Sequence, residues 1–153
     1  MKKLIALFCV LCVLMSVSFA MCDEEYPVLY AMSKSLQGRI RPGKKYEALV
    51  SFDMWTQLYP TGRVSEDRMW IEVRSTEGDL VWCNVNYLTE TMNVLHVYTL
   101  WEDGVKIRSR PGGGKVTGTA KREQVLEITQ VVMGYGKCSK GWIDMEYFII
   151  DCE

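Results

Sequence analysis

The sequence predicts an all-β fold of two small β-barrels in tandem, on the strength of two repeated motifs and one spacing pattern. Val81-Trp82-Cys83-Asn84-Val85-Asn86-Tyr87-Leu88 returns sixty positions later as Gly141-Trp142-Ile143-Asp144-Met145-Glu146-Tyr147-Phe148. Both run Trp, a small or apolar residue, three mixed residues, Tyr and a large apolar residue. Upstream, Arg39 and Arg108 each stand three residues before a Pro, and Val28 and Val97 fourteen before it, an offset of 69. Between these landmarks, short apolar stretches alternate with Gly, Pro, Asp and Ser about every eight to twelve positions, a spacing typical of sandwiches and barrels. Repeats of about sixty residues are domains in tandem rather than solenoid turns, and closing some five strands into a barrel hides their edges.

Of the 153 residues, 48% are hydrophobic and 24% charged, which is globular and enough for two small units. These are expected at residues 24–90 and 92–153, behind a segment of another kind at 1–20. There, Lys2 and Lys3 precede an apolar run from Leu4 to Met15, and Ser18 and Ala20 supply the small residues before a cut after Ala20. That is the pattern of a secretory signal peptide. Its apolar core falls short of the about twenty residues that a membrane span needs, so no span is expected in the mature chain. A lipid anchor at Cys22 is disfavoured, because Met21 stands where such sites carry Gly, Ala or Ser. The expected location is therefore secreted or cell-envelope associated.

Without Lys2 and Lys3 the chain carries 16 basic and 19 acidic side chains, a formal charge of −3. Its basic residues concentrate only in Arg39-Ile40-Arg41-Pro42-Gly43-Lys44-Lys45, which gives counterion-release binding to nucleic acid little to work with. Four Cys remain, Cys22, Cys83, Cys138 and Cys152. An oxidising compartment permits two disulfides in three pairings. Cys138 with Cys152 is preferred, since that bridge would staple a small second unit; free buried thiols are the alternative.

In chain order, Tyr26-Pro27-Val28-Leu29-Tyr30-Ala31 reads as a first strand, its Pro suiting an edge or a strand start. Ser33 to Gly38 reads as a polar loop closed by the Pro42-Gly43 turn. Tyr46 to Phe52 is extended again, and Met69 to Arg74 with Leu80 to Cys83 forms a hairpin around Ser75 to Asp79. In the second unit, Leu95 to Leu100 repeats the first strand, Asp103-Gly104 turns the chain, and Val105 to Gly112 mirrors Arg39 to Gly43. The two offsets, 69 and sixty, leave nine extra residues in the first copy between its Pro and its Trp. Met54 to Asp67 is the expected place for them.

The second unit resembles the bacterial SH3 (SH3b) domains of exported and cell-envelope proteins. The resemblance lies in Ile107-Arg108-Ser109-Arg110-Pro111-Gly112, in Tyr135-Gly136-Lys137-Cys138-Ser139-Lys140, and in Gly141-Trp142-Ile143 through Tyr147-Phe148. The first unit departs from it at Gly38, at Val81 where the family has Gly before the Trp, and at the extra residues. Together the two copies cover nearly all of the mature chain. The resemblance implies SH3-like barrels and a cell-wall or peptide ligand held in a groove beside the early loop.

Trp82, Tyr87, Trp142 and Tyr147, retained in both copies, are expected to be structural core, because large aromatics supply much of a small barrel's apolar area. The ligand-binding candidates are the loop aromatics Tyr98, Trp101, Trp55 and Tyr59, together with Arg108. No catalytic site is expected. His96 is the only His, and no Cys or Ser sits in a recognised nucleophile turn. No metal or cofactor is expected either: Cys-x-x-Cys and paired-His spacings are absent, and Gly112-Gly113-Gly114-Lys115 lacks the Ser/Thr of a phosphate loop. The expected function is binding of a cell-wall polymer or peptide. The alternative is an adaptor or inhibitor docking on another exported protein through residues 54–67.

Overall fold

The computed structural model describes residues 26–151. The expected signal peptide, Cys22 and Cys152 lie outside the described residues. The first copy comprises β1 (Leu29–Ala31), β2 (Leu36–Arg39), β3 (Ala48–Phe52), β4 (Gln57–Val64), β5 (Trp70–Ser75), β6 (Leu80–Asn84), a 3₁₀ turn at Val85–Tyr87 and β7 (Leu88–Thr89). The second comprises β8 (Leu95–Tyr98), β9 (Val105–Arg110), β10 (Gly113–Ala120), β11 (Leu126–Ile128), β12 (Gln130–Val132), β13 (Tyr135–Cys138), β14 (Gly141–Asp144), a 3₁₀ turn at Met145–Tyr147 and β15 (Ile149–Ile150). The described residues are all-β.

Strand pairing repeats with the sequence. The first copy forms one antiparallel sheet in the order β3-β2-β6-β5-β4-β1-β7. The second uses the same neighbours in two sheets, β10-β9-β14-β13-β12 and β11-β8-β15. The split falls at Thr129, between β11 and β12, where the first copy has the single strand β4. The ladders stay open rather than closing into barrels: β3 and β7 end the first sheet at opposite edges. With three and two residues, β1 and β7 are too short to carry the ladder further round.

The registers redistribute the nine extra residues. Val73 faces Val81 across eight positions, whereas its counterpart Cys138 faces Gly141 across three, so five lie in the β5–β6 hairpin. Val64 faces Ile71 across seven positions and Val131 faces Gly136 across five, so two lie in the β4–β5 turn. Arg39 to Ala48 and Arg108 to Val116 differ by one, and a register shift between Pro60 and Val64 absorbs the last. Residues 54–67 therefore hold only a minor part of the insertion. The turn around Trp55 is itself repeated: Trp55 (φ 69°) and Glu123 (φ 58°) are both left-handed, and their N–H groups donate to Ala31 and Thr99. Arg68 (φ 56°) and Met133 (φ 48°) form a second such pair in the turns after β4 and β12.

Two apolar cores result. The first gathers Leu29, Leu58, Ile71, Val73, Val81 and Leu88, and it also takes in Val132 and Trp142 from the second copy. The other centres on Val97, Ile107, Ile128 and Ile143. The copies dock through β12 beside β7. Buried Gln130 donates its amide to the carbonyls of Val85 and Leu88, Val131 N–H donates to Thr89 Oγ1, and Glu90 N–H donates to the Val131 carbonyl. The Glu90 carboxylate accepts from Met133 N–H. Burial holds the Glu90 carboxyl above the ordinary carboxylate range, against the lowering effect of the Met133 and Gly134 N–H groups.

Candidate functional site: two equivalent grooves

Each copy has a groove in the same place, along the solvent side of β2 or β9. The first, about 300 Å3, is lined by Ser33, Ser35, Leu36, Gln37, Arg39, Lys44, Trp70, Asn84 and Tyr87. The second, about 390 Å3, is lined by Glu102 to Lys106, Arg108, Gly112, Tyr135, Trp142, Asp144 and Tyr147. Superposing the registers pairs Gln37 with Lys106, Arg39 with Arg108, Trp70 with Tyr135, Asn84 with Asp144 and Tyr87 with Tyr147. Arg39 and Arg108 stand directly opposite Trp82 and Trp142 across the ladder. Both guanidiniums are held by backbone carbonyls, Arg39 by Tyr46 and Arg108 by Gly114.

The Tyr walls have a local cause. Strand alternation would turn every second side chain inward, but β6 and β14 end in a 3₁₀ turn that breaks the period. Asn84 and Asp144 cap these turns, their side-chain oxygens accepting from Asn86 N–H (3.0 Å) and Glu146 N–H (3.1 Å). Tyr87 and Tyr147 are thereby turned out, 46% and 48% exposed, which corrects their expected place in the core. Trp142 is core at 3% exposure, but Trp82 is only half-buried. A cation covers each indole: Arg63 stands 5.6 Å from the Trp82 ring and Lys137 5.5 Å from that of Trp142. Arg63 also pairs with buried Glu72 at 2.8 Å, the residue at the position of Lys137.

The sequence-derived candidates divide. Arg108 lines the second groove, and Trp101, 82% exposed, stands beside it in a smaller depression shared with Glu102 and Tyr147. Tyr98 pairs with Ile149 at the C-terminal end of β8 and lines neither groove. Trp55 and Tyr59 are exposed, but on β4 and the turn before it, away from the first groove. Sequence reasoning missed Trp70, Lys106, Tyr135 and Asp144. One signal could have found the grooves: an Arg and a Tyr, both polar at the tip, are retained in the two copies.

The reactive side chains stand apart. Cys83 and Cys138 are free and buried, and burial pushes the Cys83 thiol up to about 12, far from the thiolate that nucleophilic chemistry needs. Cys138 packs in the second core, while its preferred disulfide partner, Cys152, lies outside the described residues. His96 is exposed on β8, opposite Glu127. Among the described residues no group of three or more His, Cys, Asp or Glu could hold a metal ion, and no helix is long and apolar enough to cross a membrane.

No protein-family model and no curated protein matches the chain. Among solved structures it is similar to the endolysin LysPBC5 CBD, with a TM-score of 0.35 and 16% sequence identity over 85% of this chain and 97% of that one. At that level the similarity assigns no ligand, and the functional reading rests on the grooves themselves.

Proposed function

We propose that the chain is an exported, non-catalytic binding protein of two SH3-like units, residues 24–90 and 92–153, that holds cell-wall peptide or polymer in its two grooves. The carrying observation is that equivalent positions of both copies, Arg39/Arg108 and Tyr87/Tyr147 above all, line a groove on the same strand. A hydroxyl-tipped ring and a guanidinium on one wall suit an extended chain of amides: the ring supplies contact area and the guanidinium donates to carbonyls. Two such grooves on one chain would raise weak individual affinities if both engaged one polymer.

Mixing the mature protein with purified insoluble cell wall and sedimenting it should deplete the supernatant. The double variant Tyr87→Ala/Tyr147→Ala should stay in solution while remaining folded. Full recovery of the wild type in the soluble fraction would sink this reading and favour docking on another exported protein.

A further inference from the structure

A residue from the first copy stands at the rim of the second groove, between it and an apolar depression lined by Pro111, Met133 and Tyr135. Arg68, in the turn between β4 and β5, reaches across the docked copies to the rim formed by Gly112 and Tyr135. A Cβ at Gly112 would stand 2.3 Å from Arg68 Nη1 and 2.8 Å from the Tyr135 hydroxyl, so the glycine leaves room for the guanidinium. Both Gly112 and Tyr135 line the groove. Arg68 holds its place in a left-handed conformation, and such strain persists where the surroundings over-determine it. Its neighbours do so: Arg68 N–H donates to the Ser65 carbonyl, Asp67 Oδ1 accepts from Ser65 and Met69, and Arg110 donates to the Asp67 carbonyl.

The charges sort along β9. Lys106, Arg108 and Arg110 share its outer face, since every second residue of a strand points the same way, and Arg68 lies beyond its end. Arg68, Arg108 and Arg110 form no ion pair among the described residues, where the pairs are Arg63–Glu72 and Arg122–Glu123. Glu102 and Asp103 stand before the start of the same strand, past the Gly104 turn (φ 75°), and Asp144 lies on the groove wall between the two ends. A dianion such as phosphate would meet those carboxylates in the same groove. A zwitterionic chain would set its cationic end against them.

We propose that Arg68, with Arg108 and Arg110, binds the free carboxylate end of a short peptide whose amino or basic end lies toward Glu102 and Asp103. This rests on the groove reading above and gives it a direction. The site is then composite, present only while the two copies are docked. Binding a carboxylate through a fork of N–H donors is the chemistry in which Arg excels.

The test uses random pentapeptides free of Asp and Glu, made once with C-terminal carboxylates and once with C-terminal amides. Wild-type protein should retain the acids about tenfold more than the amides, as expected for one charge-assisted contact, with the Gly112 amide signal shifting by NMR. Arg68→Gln should lower acid retention to the amide level and leave the rest of the spectrum unchanged; Arg68→Lys should keep part of the preference. Equal retention of acids and amides by the wild type, with Gly112 and Tyr147 still responding, overturns this inference alone. An undiminished preference in Arg68→Gln does the same. No retention of either set, and no shift, takes down the groove reading with it.

Discussion

The two grooves occupy one position in two copies of the same strand pattern, yet the first has no carboxylate on its walls and the second has three, Glu102, Asp103 and Asp144. The backbone fixes where the grooves lie, and the side chains at Gln37/Lys106, Asn84/Asp144 and Ser33/Glu102 give them different charge. The two copies share a scaffold and differ in its chemistry. The same contrast runs through the two Trp residues. Trp142 is sealed because it joins the core of the other copy, whereas the indole of Trp82 is covered by the solvent-exposed Arg63 side chain.

That asymmetry can be broken most directly at the Trp pair. Trp142→Ala should cost about 3–5 kcal/mol in urea unfolding as a buried large-to-small change, and Trp82→Ala about half as much. Equal costs would mean that docking of the copies does not distinguish the two sites. Next in size is Gln130→Leu, which removes the amide from the carbonyls of Val85 and Leu88 at the junction; the Val85 carbonyl keeps the Leu88 N–H, so the cost should be about 1–3 kcal/mol in all. Unchanged stability there would indicate that water replaces the amide. Smaller still, Tyr87→Ala and Tyr147→Ala should each lower stability by no more than about 1 kcal/mol, because half of each side chain is already in water. A core-sized loss at either would restore the expectation drawn from their repetition.

The smallest effect concerns pH. Burial raises the Glu90 carboxyl above its ordinary value of 4.5. Folding therefore favours the protonated form, and the resulting stabilisation is fully present below the unfolded value and lost as pH rises through the folded one. Melting temperatures of wild type and Glu90→Gln, compared from pH 7 down to pH 4, should show the wild type gaining on the variant as the solution is acidified. The opposite trend would show that the Met133 and Gly134 N–H groups outweigh burial.

Much of this was legible before any coordinates. The recurring Trp and Tyr, the twin Arg-x-x-Pro segments and the short apolar stretches state an all-β repeat, because strand-forming patterns and turn residues act locally. Arg108 and Trp101 were legible as residues at or beside the second groove, Arg108 as the counterpart of Arg39 and Trp101 from its loop position. Trp70, Tyr135 and Arg68 were not, since their roles depend on which strands become neighbours. Tyr87 and Tyr147 were misplaced because recurrence suggests packing, and only the 3₁₀ turns capped by Asn84 and Asp144 reverse their direction. Nor could a sum of sequence offsets say where nine residues are inserted; the ladder registers spread them over two hairpins, a loop and a bulge.

By itself, then, the sequence determined the strand-rich repeat and its apolar inventory, which follow from the local periodicity of side chains. The tertiary structure decided that the ladders stay open, that Gln130 and Trp142 join the two copies, and that Arg68 stands at the rim of the second groove. Those outcomes depend on contacts between residues some 40 or more positions apart, such as Gln130 with Val85 and Arg110 with Asp67. No local pattern encodes which distant partner wins, because that choice is made by the burial and hydrogen bonding of the whole.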